Sequence, residues 1–285
     1  MAKMAESDLS RVDRAVSEYR TRLENQVIAY QKKPSEKPFA ELTDDELLSL
    51  RLGLPKITTS AALLEKEFPE PKWIVPDIIP EGLSIIAGSP KVGKSLFTLN
   101  LAIALSCGGY VFGSIKIKKT PVLYLALEDT ERRLQRRLKE LGALPSKDLR
   151  LCTEWKQGAE GIQNILSFKE ARPDIGLVVI DSLQMFRGLS QGGQSYELDY
   201  DQLSKIKEAS DKLELPIVVN HHTRKMDASD PLMLVSGTLG ITGVADTILV
   251  LKRTRRQAAG ELFVIGRDIE DQELALQLDR DVGWS

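Results

Sequence analysis

Cysteine and histidine are scarce in this 285-residue chain, aromatic side chains make up only 6%, and no charge of one sign prevails. The two cysteines, Cys107 and Cys152, have no CxxC spacing or Cys/His cluster around them. That excludes a disulfide framework and a structural zinc site, and it fits a reducing compartment. No run of about 18 apolar residues occurs, so no membrane-spanning helix is expected. The first residues, MAKMAESDLSRVDR, alternate charges where a secretory signal would carry an apolar stretch. A soluble, cytoplasmic protein with no membrane partner is the expectation. The 39 basic and 41 acidic side chains leave a net charge of -2. This excludes a uniformly basic nucleic-acid binder, though not a basic groove on a balanced chain. What the chain does have is 42% apolar residues, enough for a sizeable core.

Those apolar residues are patterned. From Leu9 they recur every three or four positions through Val12, Val16, Tyr19, Leu23, Val27 and Tyr30, which predicts a helix to about Lys33, ended by Pro34 and Pro38. Its narrow stripe suits docking on its own domain or on a neighbouring subunit, or a short coiled coil. A second helix is expected over Asp44 to Leu52, with Thr43 as N-cap and Glu46 completing a capping box. The proline-punctuated stretch PEPKWIVPDIIPEG then leads into a main domain, taken as residues 72–285 after an N-terminal segment of 1–71.

From Leu83 short apolar runs alternate with helical patterns. The strands are expected at Leu83 to Ala87, Val122 to Leu127, Leu149 to Cys152, Leu177 to Ile180 and Ile217 to Asn220. Helices begin near Lys94, Thr130, Gly161 and Leu198. The alternation predicts an α/β fold, a mostly parallel sheet flanked by helices. After Gly237 the segments Thr247 to Leu251, Glu261 to Ile265 and Leu274 to Leu278 follow one another without helices, as in an antiparallel extension.

The most specific motif is Gly88-Ser89-Pro90-Lys91-Val92-Gly93-Lys94-Ser95, a complete GxxxxGK[ST] between a strand and a helix that continues through Leu96. Its glycines let backbone N–H groups wrap phosphate oxygens, and the helix presents its positive end. Lys94 is expected to reach the β and γ phosphates of ATP, and the Ser95 hydroxyl to bind Mg²⁺. The strand Leu177 to Ile180 delivers Asp181 to the sheet edge, where a P-loop protein holds its magnesium shell; capping a turn through Ser182 is the alternative. The strand ending at Leu127 delivers Glu128, placed to orient or deprotonate an attacking water. Glu128 or Asp129 capping the next helix is the competing role, which suits Asp129 better. His221 and His222, the only histidines, follow the last parallel strand. Adjacent strand residues face opposite ways, so at most one faces the nucleotide.

Together the runs PKWIVPDIIPEGLSIIAGSPKVGKS, VLYLALEDTERRLQRRL, VVIDSLQMF and HHTRK resemble the RecA-like P-loop ATPases, and more closely the plasmid RepA-type hexameric replicative helicases of the RepA/DnaB-like group. The resemblance covers about Lys72 to Ser285. It implies a RecA-like core with a C-terminal antiparallel extension after a small helical N-terminal segment. It makes Glu128 the catalytic base, Asp181 the residue assisting Mg²⁺, and His221, with His222 second, the γ-phosphate sensor. Two loops, Phe186 to Tyr196 and Thr223 to Ser236, would line a channel for single-stranded DNA, with Arg187, Arg224 and Lys225 on its backbone. Both loops are poor in basic and aromatic residues, and plain solvated loops are the alternative. Arg267 in VIGRD would complete the neighbouring subunit's site in a homo-oligomer, most naturally a hexameric ring, with Lys252 to Arg256, including Arg253, as the other source. Three functions stay open: an ATPase moving on or remodelling DNA, a KaiC-like switch acting on a protein partner, or a small-molecule kinase, which fits the P-loop but not Glu128 or the antiparallel tail. No clear match to a primase-binding helical domain or a winged helix is present.

Overall fold

The computed structural model describes residues 44–55, 57–187, 195–223, 239–254, 257–279 and 283–285. The chain divides into two compact units, Met1–Glu70 and Pro71–Ser285. The first contains α1 (Asp44–Leu52) and α2 (Ser60–Leu64). Thr59 starts α2 as an N-cap, its hydroxyl accepting the Ala62 N–H at 3.2 Å. The expected helix from Leu9 to Lys33 and the Thr43 cap lie outside the described residues.

The second unit begins with the short antiparallel pair β1 (Trp73–Val75) and β2 (Ile79–Pro80). Next come β3 (Leu83–Gly88), α3 (Lys94–Cys107) and a hairpin of β4 (Gly109–Val111) and β5 (Ile115–Ile117). The chain then alternates through β6 (Val122–Ala126), α4 (Glu131–Glu140), β7 (Leu149–Cys152), α5 (Gly158–Ala171) and β8 (Leu177–Asp181). The helices α6 (Leu183–Arg187) and α7 (Ser195–Leu213) precede β9 (Ile217–His222). After α8 (Leu239–Val244) come β10 (Thr247–Lys252), β11 (Ala259–Gly266), β12 (Gln272–Asp279) and β13 (Gly283–Trp284).

One nine-stranded sheet takes the order β13-β12-β11-β10-β3-β9-β8-β6-β7. Strands β10, β3, β9, β8, β6 and β7 are parallel, while β10 to β13 pair antiparallel. This is the expected mostly parallel RecA-like core with its antiparallel extension. The central strands LSIIAG, VLYLA and LVVID are buried along their whole length because helices cover both faces. Alternate residues serve opposite cores. Ile86, Tyr124, Val179 and Val218 join Phe97, Leu101 and Leu134 on the α3/α4 side, and Ile85, Leu125, Ile180 and Val219 join Ile165, Leu203 and Ile206 on the α5/α7 side. Outer strand β12 instead alternates half-buried and exposed residues, as a strand with one wet face should.

The parallel register brings the C-terminal ends of four strands to one edge. Gly88 pairs with His222 across β3 and β9, and Ala126 with Asp181 across β6 and β8. The structure adds detail that periodicity did not supply: β9 runs on to His222, α5 starts at Gly158, and α7 starts at Ser195. The expected loop from Phe186 begins inside α6, because Phe186 is fully buried and anchors that turn in the core.

Candidate nucleotide site

The turn from β3 into α3 sets the P-loop residues Gly88 to Leu96 at the sheet edge. Lys91 and Gly93 both take positive φ, 68° and 115°, which lets the chain curl over a single turn before the helix begins. Lys94 is only 4% exposed. Its ammonium donates to the Gly88 carbonyl at 2.7 Å and the Ser89 carbonyl at 3.2 Å, and stands 3.0 Å from His222 Nδ1. Burial lowers its pKa to about 8, against the raising influence of the Asp181 and Glu128 carboxylates.

Asp181 ends β8 in a buried polar cluster. Its Oδ1 accepts from Ser95 Oγ at 3.1 Å and from Asn220 Nδ2 at 2.8 Å, and its Oδ2 accepts from Tyr124 Oη at 3.0 Å. Thr98 closes the cluster, 3.0 Å from Tyr124 Oη and accepting from Asn220 at 3.0 Å. Burial pushes the Asp181 carboxyl pKa up, opposed by the Asn220, Ser95 and Tyr124 hydrogen bonds. Ser95 and Asp181 supply a hydroxyl and a carboxylate, hard oxygen donors of the kind magnesium takes alongside phosphates and water. No group of three or more His, Cys, Asp or Glu side chains suited to a metal occurs among the described residues. The donor set therefore fits a cation completed by the nucleotide, not an all-protein cage.

Glu128 lies just beyond β6. Its Oε1 accepts from Ser182 Oγ and stands 3.3 Å from His222 Nε2. The His222 ring bridges two groups, with Nδ1 towards Lys94 and Nε2 towards Glu128. Lys94, His222 and Glu128 thus form one hydrogen-bonded chain across the mouth of the P-loop. The His222 hydrogen bond is the largest influence lowering the Glu128 pKa to about 2, with Ser182 and the Lys94 charge acting in the same direction against burial.

Of the two histidines expected near the nucleotide, the structure sets His222, the second choice, beside Lys94. His222 follows Val218 and Asn220 on the α3 face, whereas His221 follows Val219 onto the opposite face. There burial, with His222, Lys94 and Arg187 nearby, lowers the pKa of His221 to about 4. Arg187, expected on a DNA backbone, is found in an ion pair within the fold. It ends α6 and pairs with Asp199 of α7 at 2.7 Å, with side chains 19% and 10% exposed, so its guanidinium is committed inside the fold instead of offered to a phosphate backbone. Arg224 and Lys225 lie outside the described residues.

Arg267 follows β11 at the edge where the parallel strands begin, since Gly266 pairs with Thr247 at the start of β10. It is exposed, donates to the Gly243 carbonyl, and stands at the opposite edge from its own P-loop. Arg253 is held by its own P-loop, donating from Nε to the Val92 carbonyl at 3.0 Å.

The cleft over the P-loop has a volume of about 650 Å³, and Glu128, His222, Arg137 and Glu140 line it together with the loop. Arg137 and Glu140 were not anticipated. Arg137 is fixed by Asp129, which also accepts from Arg133 at 3.1 Å. The sequence signal was the spacing of Asp129 and Arg137, two turns apart at the start of a charged helix. The cleft thus joins an anion-binding loop, the Ser95 hydroxyl with Asp181 buried behind it, and the Glu128 carboxylate.

A profile of the AAA domain matches residues 50–228. No curated protein matches. Among solved structures, one described as an ATPase domain superposes with a TM-score of 0.59 at 15% identity, covering 71% of this chain and 83% of that one. A DnaB-like replicative helicase, solved with its interactions with primase, gives a TM-score of 0.62 at 14% identity, covering 95% and 76%.

Proposed function

Because the chain belongs to the AAA domain family and is a RecA-like P-loop ATPase, we propose that it hydrolyses ATP at the interfaces of a homo-oligomeric ring and couples the cycle to translocation on, or remodelling of, single-stranded DNA. The observation that carries this reading is the chain Lys94–His222–Glu128, which ties the phosphate-binding lysine to the carboxylate that would meet water.

In this mechanism the P-loop amides and Lys94 bind the β and γ phosphates. Ser95 and Asp181 would hold Mg²⁺, which when bound supplies charge neutralisation at the phosphates. Glu128 accepts a hydrogen bond from the attacking water and takes up its proton. A base works best when its pKa lies near the working pH, and the resting Glu128 sits well below that. Transfer of Lys94 onto phosphate removes a positive charge from Glu128's surroundings and leaves His222 Nδ1 without its partner. Both changes raise the basicity of Glu128. His222 is then free to meet the γ phosphate, and its change of partner passes into the segment beginning at Thr223, which contains Arg224 and Lys225. Arg267, exposed and remote from its own P-loop, is the residue offered to the neighbouring subunit's developing phosphoryl charge.

The test is ATP turnover with and without single-stranded DNA, together with the mass of the assembly in ATP and Mg²⁺. DNA-stimulated turnover by a ring supports the reading. Turnover that ignores DNA, with no displacement of a forked duplex, would instead favour the KaiC-like switch.

A further inference from the structure

We infer that Trp284 and Arg253 are positioning residues of the P-loop, holding its Lys91, Val92 and Gly93 carbonyls outward so that the following amides face the nucleotide phosphates. The inference rests on the reading of this loop as a nucleoside triphosphate site. Trp284 lies in β13, paired with Leu278 of β12, and is only 2% exposed. Its indole Nε1 donates to the Gly93 carbonyl at 3.2 Å. Arg253, just past β10, donates to the Val92 carbonyl through Nε at 3.0 Å and reaches the Lys91 carbonyl through Nη2 at 3.4 Å. Its guanidinium carbon lies 5.9 Å from the centre of the Trp284 ring, so the two groups form one brace.

A trans peptide unit is planar, and its C=O and N–H point opposite ways. Holding the Val92 carbonyl against Arg253 therefore directs the Gly93 N–H to the other side of the loop. Holding the Gly93 carbonyl against Trp284 does the same for the Lys94 N–H, in concert with the first helical bond from Phe97 at 2.9 Å. The loop has reason to need such support: Lys91 has φ of 68°, a conformation that costs a residue with a Cβ on the order of 1 kcal/mol. Space is reserved for the indole as well. A Cβ on Gly93 would lie 3.1 Å from the ring and one on Gly260 would lie 2.8 Å from it, so the ring occupies a slot that only two glycines leave open. A merely solvated arginine would not spend Nε and Nη2 on consecutive loop carbonyls.

The experiment measures binding of a fluorescent ATP analogue, steady-state KM and kcat, and thermal midpoint for wild type, Trp284→Phe, Arg253→Gln and Arg253→Lys. Loss of one such hydrogen bond should weaken binding and raise KM about fivefold, with kcat within about twofold. The midpoint without nucleotide should stay near wild type for Arg253→Gln, and Arg253→Lys should recover part of the loss. With Trp73 and Trp155 replaced by Phe, ATP should change the emission of the remaining Trp284. Unchanged nucleotide affinity in both Trp284→Phe and Arg253→Gln overturns the brace while leaving the ATPase reading intact. So does an affinity loss that merely tracks a fall in midpoint. If Trp284→Phe fails to fold, the two Arg253 variants decide. A wild-type protein that binds no ATP overturns both readings.

Discussion

Replacing Lys94 by methionine should abolish phosphate binding and, in the absence of nucleotide, remove a pH-dependent part of the protein's stability. The ammonium is 4% exposed, and burial lowers its pKa from the ordinary 10.5 to about 8. A folded-state pKa below the unfolded value means that the native protein holds the charged form at a cost. That cost is fully present below about pH 8 and disappears as pH rises from there towards 10.5, because over this window the unfolded chain binds the extra proton. A shift of that size corresponds to about 3 kcal/mol. Against it stand the hydrogen bonds to the Gly88 and Ser89 carbonyls and the contact with His222 Nδ1, which methionine cannot make. They offset about 1 kcal/mol each, so at pH 7 the variant should lie within about 1 kcal/mol of wild type, whereas between pH 7 and pH 9.5 wild type alone should gain about 2 kcal/mol. The assay is urea and thermal unfolding of wild type and Lys94→Met at pH 7 and pH 9.5. Wild-type stability that does not rise relative to Lys94→Met by about 2 kcal/mol between pH 7 and pH 9.5 would show that burial does not hold this ammonium at a cost.

Nucleotide affinity should follow the same titration: ATP needs the Lys94 ammonium, so affinity measured by calorimetry should be about tenfold lower at pH 9 than at pH 7. His222→Ala should cut turnover, since it breaks the link between Lys94 and Glu128, while His221→Gln should spare it and act on acid stability. The pKa of His221 is lowered to about 4 by burial, so wild type should lose up to about 3 kcal/mol as pH falls from 6.5 towards 4, and His221→Gln should flatten that loss in unfolding titrations. Arg187→Ala should destabilise by roughly 3 kcal/mol in denaturant unfolding, because it strands the buried Asp199 carboxylate. The double variant with Asp199→Asn should recover most of it.

The residues of the P-loop and the two strand-end carboxylates were legible because their spacing is local: eight consecutive residues, or an apolar run followed directly by an acid. The parallel core was legible for a similar reason, since LSIIAG, VLYLA and LVVID read as strands buried on both faces. The choice of histidine was readable in principle. Asn220 is the polar residue in an otherwise apolar strand, and the period of two places His222 on its face, beside the Asp181 cluster. That step needed β9 to continue past Asn220, which a run ending in two polar rings did not announce. The ion pair of Arg187 was not legible because its partner Asp199 belongs to a later helix, and nothing between them in sequence marks the pair. Trp284 and Arg253 were beyond reach for the same physical reason at larger scale. Their acceptors lie 191 and 161 positions away and meet them only after β10 to β13 have folded back beside β3.

The most direct test of the site is phosphate release by wild type and Glu128→Gln in ATP and Mg²⁺, with nucleotide binding measured on the same samples. Glutamine keeps an oxygen for Ser182 and His222 but cannot take a proton. Turnover should therefore fall by about a hundredfold or more while ATP still binds with near wild-type affinity. Equal turnover by the two proteins would contradict the assignment of Glu128 and with it the account of the Lys94–His222–Glu128 chain.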